Sequence, residues 1–283
     1  MSLFFLQLKG ELRKLFARRR TYIGYVVFLI FEIILLTVFK LGLGRDRMED
    51  MLGQVGESME AYYTSLTVTY WIMGFSMFLL GSIFFALVSG DIVAKEAEDG
   101  NLRLVLARPV SRFRVLLLKY LATIIYTITF VIFVGASGYL MAVAALGLDG
   151  GLFVWNYKMQ TFAVYSDWGE GFVRIVIAAL LIGVSMVTLS SVGFCFSCFK
   201  MKPATAAISA LSVLFVDMVL QEFPFLKPYE ENFVTFKMST WVYALRQDVD
   251  PPVIVEAYTF LIALNLTLFT IGWLAFTSRD FKT

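Results

Sequence analysis

Apolar residues fall into six long runs, and charged residues are almost confined to the segments between them. The runs cover about 21–39, 68–90, 116–146, 174–199, 203–220 and 254–277. A bilayer core takes about 20 apolar helical residues. In lipid a helix satisfies its backbone hydrogen bonds internally. The pattern therefore predicts six membrane-spanning helices in a single all-α domain, residues 1–283. Before the first run, residues 3–20 have a helical period. Phe5, Leu8, Leu12, Leu15 and Phe16 share one face, while Lys9, Arg13, Lys14 and Arg20 point elsewhere. This predicts an amphipathic helix lying on the inner leaflet, where anionic lipid attracts the bases. The first run lacks a small-x-small cleavage site and reads as a retained anchor.

Charge sets the orientation. With the N-terminus placed in the cytoplasm, sixteen of the 24 bases fall on that side, including Lys200, Lys202, Arg279 and Lys282. The other side is acidic, with Asp46, Glu49, Glu57, Glu230 and Asp248 among its residues. The positive-inside bias thus puts both termini in the cytoplasm; the expected location is a bacterial or archaeal plasma membrane. The outer segments are then 40–67, 147–173 and 221–253. The third is rich in Pro and aromatic residues, and it predicts short helices packed at the outer mouth rather than a disordered loop.

Composition narrows the function. Hydrophobic residues make up 59% of the chain and charged residues 16%, which is a membrane composition. A net charge of +2 implies no nucleic-acid partner. With no histidine in the chain, the commonest general base and metal ligand is missing, and enzymatic readings are disfavoured. No G-x-x-x-x-G-K-[ST] motif occurs, so any ATP-driven work would draw on another polypeptide.

One segment, 91–115, departs from its surroundings. An uncharged run from Ala61 to Gly90 precedes it, and Tyr120 to Leu148 is uncharged beyond the following Lys119. Gly100-Asn101 is suited to end one helix and cap the next. Leu102, Val105 and Leu106 then form an apolar edge flanked by Arg103 and Arg108, and Pro109 stops that helix. Ser111 is placed to cap the helix that leads into the third run. A short helix of this kind fits the groove of a partner protein.

The stretch Glu96-x-Glu-Asp-Gly-Asn-Leu-Arg-Leu-Val-Leu-Ala-Arg-Pro-Val-Ser-Arg112 resembles the cytoplasmic segment of ABC-2 type transporter permeases. The match falls on Glu96, Glu98, Gly100, Asn101, Leu102, Arg103, Leu106, Pro109, Ser111 and Arg112. Family members more often carry Thr at the position of Asn101, and either residue caps a helix. The ending Ser278-Arg279-Asp280-Phe281 is similar to the family's as well. The resemblance implies a six-span permease in a homo- or heterodimer with two separate ABC ATPase subunits. It implies no cofactor on this chain, with ATP and Mg held by the partner. Segment 91–115 would carry the coupling helix, with Glu96, Glu98, Asp99, Gly100, Asn101, Leu102, Arg103, Leu106, Arg108, Pro109 and Arg112 at the ATPase interface. The transport would be export of an unidentified substrate. A motor-free channel or secondary transporter, and a scaffold recruiting a cytoplasmic protein, are the rival readings.

Two carboxylates sit at membrane depth, Glu32 in the first run and Asp217 in the fifth. Such groups usually face a cavity or a partner, so both are candidate pathway residues. The alternatives are a protonated Glu32 bonded to a neighbouring hydroxyl and an Asp217 reaching to the interface. In the fourth run Thr188, Ser191, Cys195 and Cys198 share a face, which predicts close helix packing. A soft-metal or redox role for the Cys195-x-x-Cys198 pair is the sharper alternative.

Overall fold

The computed structural model of the protein describes residues 3–42, 45–54, 56–107 and 110–279. Six of its helices are long and apolar enough to cross a membrane. The N-terminal helix α1 (Leu3–Ala17) leads into the first span, α2 (Arg19–Lys40), and two short helices follow, α3 (Arg45–Gln54) and α4 (Met59–Tyr62). The second span begins as α5 (Ser65–Phe75), loosens into a π-helical segment at Ser76–Gly81 and continues as α6 (Ser82–Glu98). After α7 (Asn101–Leu106) come the third span α8 (Arg112–Leu146), a hairpin of β1 (Leu152–Asn156) and β2 (Thr161–Tyr165), and the fourth span α9 (Trp168–Cys198). The fifth span is α10 (Pro203–Gln221). Two 3₁₀ turns, Lys227–Asn232 and Thr240–Leu245, flank α11 (Val234–Ser239), and the sixth span is α12 (Pro251–Thr277).

Four spans clearly exceed the bilayer core, the second, third, fourth and sixth. The second covers 34 residues and the third 35, about 50 Å each at 1.5 Å per residue against a core of about 30 Å. The surplus of the second span is its charged end, Asp91–Glu98. The helix therefore runs unbroken past residue 90, where the apolar pattern ends.

Span α9 is the most enclosed and packs against α6, α8, α10 and α12. Its small and hydroxylated face makes this possible. The Ser191 hydroxyl lies 2.8 Å from that of Tyr120, and the Ser190 hydroxyl 2.8 Å from that of Thr127. Gly90 marks the crossing of α6 and α10, where a Cβ would come within 2.9 Å of the Ala207 backbone nitrogen.

The apolar face of α1 packs against the protein itself. Leu15 is buried, and Leu8, Leu12 and Phe16 lie against the same core, whereas Leu3, Phe5 and Leu6 stay exposed. At the far end of the bundle the hairpin joins the 3₁₀ turn at Thr240–Leu245. Tyr165 donates to the Leu245 carbonyl at 3.0 Å, Arg246 to that of Met159 at 2.8 Å and Arg174 to that of Ala244 at 3.1 Å. The segment 221–253 is thus ordered helical structure, as its composition predicts. The hairpin is an addition to the expected all-α fold.

Candidate functional site

The end of the bundle that carries α1 and the last turn of α12 presents the charged segment. Helix α6 stops at Glu98, and Gly100 takes φ +74°, a left-handed conformation that glycine adopts without strain. The chain turns there and restarts at Asn101 as α7. Leu102 is buried beneath this short helix, while Glu98, Asp99 and Asn101 are exposed. Lys95 pairs with Glu98 at 3.3 Å and with Asp99 at 3.2 Å. The Ser111 hydroxyl accepts from the Arg114 amide at 3.2 Å and caps α8. Arg108 and Pro109 lie outside the described residues, as do the side chains of Arg103 and Leu106.

Two residues placed at the partner surface by sequence are engaged within the chain. Arg112 donates to the carbonyls of Thr277 at 2.9 Å and Arg279 at 3.1 Å, at the end of the sixth span. Arg279 in turn donates to the Cys198 carbonyl at 3.2 Å. These bonds clasp the segment to the ends of spans four and six. Glu96 faces inward. Its carboxylate pairs with Lys119 at 2.7 Å and with Lys14 at 3.6 Å. Glu11 on α1 completes the group, 2.9 Å from Lys119 and 2.6 Å from Lys14.

The Lys119 side chain is only 2% exposed, and these two carboxylates are its ion-pair partners. Burial pushes the Glu11 carboxyl up, but Lys119 and Lys14 more than offset this and hold it below its ordinary value of 4.5. Burial lowers the Lys14 ammonium, and Glu11 and Glu96 outweigh it to leave a net rise. Four charges thereby join α1, the end of span two and the base of span three. Sequence reading missed Glu11 and Lys119 as a pair because they are far apart in the chain.

The intramembrane acids differ. Glu32 is wholly buried and accepts from the Ser137 hydroxyl at 3.0 Å. Its Oε2 has no hydrogen-bond partner among the described residues. Asp217 accepts from the Thr235 amide at 2.8 Å, the Thr235 hydroxyl at 2.7 Å and the Val234 amide at 3.2 Å. It ties the fifth span to the start of α11. Cys195 and Cys198 are buried free thiols. A Cβ on Gly272 would lie 3.3 Å from Cys198 Sγ, so this face packs against span six. No group of three or more Cys, Asp or Glu among the described residues could hold a metal ion.

A cavity of about 810 Å³ opens in the half of the bundle nearer the hairpin. Spans two, four and five wall it, and the hairpin turn and α11 form its outer end. Much of the π-helical segment lies in its wall, including Met77, Phe78 and Leu79. Glu32 and Asp217 are not among its lining residues.

Six apolar spans, a charged helical surface at one end and a walled cavity toward the other define an integral membrane protein of the transport class. The chain belongs to the ABC-2 transporter family: the family model described as "ABC-2 family transporter protein" matches residues 8–232. It is accordingly a permease subunit, a membrane component that associates with ABC ATPase subunits. No curated protein matches the chain.

Proposed function

We propose that the chain is the membrane subunit of an ATP-driven exporter and that it works as a dimer with two ATPase chains. The ATPases dock on Glu98, Asp99, Asn101 and α7, on the cytoplasmic side, where both termini lie. The cavity between spans two and five is the substrate passage. One observation carries this reading: the helix that ends at the docking surface also builds the cavity wall. From Ser65 to Glu98 the second span has no break except the π-helical segment, and that segment lines the cavity. A push on the Glu98 end therefore reaches the passage through one rigid element with a single compliant turn, since π-helical segments often mark functional sites. The buried charges carry α1 and the base of span three along with it. The cavity lies in the half away from the ATPases, which fits release on the far side.

Arg103→Glu and Leu106→Asp test the docking role. Each should leave membrane insertion intact and abolish the permease's effect on ATP hydrolysis by the partner. Unchanged stimulation in both variants would overturn the assignment of α7.

A further inference from the structure

The cavity is asymmetric in a way that specifies its occupant. Its polar side chains gather mainly at the outer end: Asn156 and Lys158 on the hairpin turn, with Thr235 and Ser239 on α11. Farther from the hairpin the walls are aromatic rings and thioethers, such as Phe75, Phe78, Met77 and Met186. Among the described residues Lys158 is the one lining residue that carries a charge, and no acid among them lines the cavity. Its partner Glu222, at 3.2 Å, has a side chain 73% exposed. Exposed ion pairs of this kind are weak, so another anion can take the place of Glu222.

The cavity opens sideways between spans two and five. Phe78, Leu79, Ile208 and Phe215 line it and are between 48% and 63% exposed. In a membrane this opening faces lipid. Behind the cavity lies a niche of about 370 Å³ against spans one and two. Its lining is apolar and aromatic, and the hydroxyl of Tyr63 there donates to the Phe39 carbonyl. Trp71, Phe75 and Trp155 line both spaces. The Trp71 ring stacks on Phe75 at 5.5 Å and lies 6.3 Å from Trp155. Dry apolar space offers water no partners, whereas an aliphatic chain fills it favourably.

We propose that the site takes a lipid-class amphiphile drawn from the surrounding bilayer. Its anionic head sits at Lys158 and its aliphatic chain runs down the Met- and aromatic-lined wall, with the niche behind Trp71 open to a second chain. The cavity volume is that of a small-molecule site, which matches one such molecule and excludes a folded protein. The charge of Lys158 and the absence of lining acids favour an anion over a lipophilic cation. This identification rests on the cavity being the passage, and it adds the class of molecule that enters.

The test is photo-cross-linking of the complete transporter in nanodiscs with a diazirine-bearing long-chain fatty acid and the matching fatty alcohol. Both probes should label residues 70–82 and 208–218 saturably, and unlabelled fatty acid should compete. Gly74→Leu adds a side chain beside Trp241, since a Cβ there lies 3.9 Å from that ring, and it should remove this labelling. Exposed Ile262 and Leu266 on span six should still be labelled as ordinary lipid contacts. Lys158→Glu should weaken the fatty acid about two- to fivefold, the size of an exposed ion pair, and leave the alcohol unchanged. Labelling of 70–82 and 208–218 no stronger than that of span six, or indifferent to both substitutions, would overturn the proposal. So would absence of labelling because a second copy covers the opening. The ATPase-coupling assay is independent of these probes: intact coupling with failed labelling sinks only the ligand class, and the converse sinks only the transport reading.

Discussion

At the scale of single residues, Lys119 decides the most. A buried ammonium held by two carboxylates from two other helices cannot be deleted quietly. Lys119→Met leaves Glu11 and Glu96 facing each other with only the half-exposed Lys14, and breaking a buried pair costs about 3–5 kcal/mol. The expected result is a clearly lowered melting temperature in detergent. Lys14→Met, with a side chain 49% exposed, should cost far less. The group also has a pH signature. Glu11 is held below its ordinary 4.5, so its contribution is full above that value and fades as pH falls through the lowered one. Lys14 is held above its ordinary 10.5, so its contribution is full below that value and fades as pH rises through the raised one. Hydrogen-exchange protection of Leu3–Ala17 should therefore stay level between these limits and drop in stronger acid or base. Sequence supplied Glu96 but assigned it outward, because a helix-surface acid in a charged segment carries no mark of the distant lysine it meets.

At the scale of elements, the spans were legible and the hairpin was not. Uniform apolar runs mark where spans lie, and Pro203 stands at the start of α10 as a helix-opening residue does. The strands Leu152–Asn156 and Thr161–Tyr165 are short, and their turn at Tyr157–Gln160 holds no glycine or proline. Gln160 nonetheless adopts φ 45°, a conformation usually left to Gly or Asn. Only Asn156 hints at a turn, accepting from the Met159 amide at 3.0 Å. The extension of span two was also hidden, since hydropathy ends at Gly90 while the helix continues to Glu98. Gly90 itself gives an element-scale prediction. Gly90→Ala places a Cβ against the α10 backbone, which cannot rotate away. Overpacking of this kind costs about 1–3 kcal/mol and should appear as a lower melting temperature with spans two and five pushed apart.

At the scale of the whole molecule, three assemblies divide the work. The termini end is tied together by the four-charge group and by the clasp from Arg112 through Arg279 to Cys198. The far end is a cap of hairpin, α11 and 3₁₀ turns, joined by the bonds of Tyr165, Arg174 and Arg246. Between them the second span joins the two and lines the cavity. This division explains why the charged segment 91–115 stands out in sequence and the cavity does not. A motif contiguous in sequence is visible as a motif, whereas the cavity wall is gathered from spans two, four and five, the hairpin and α11. The central claim is that Glu98 to α7 meets the ATPase. In a Cys195→Ser, Cys198→Ser background, cysteine introduced by Asn101→Cys should cross-link to the ATPase chain. Cysteine introduced by Tyr157→Cys, at a residue 84% exposed on the hairpin, should not. A cross-link from the hairpin position, or none from Asn101→Cys in a complex that still hydrolyses ATP, would contradict the account.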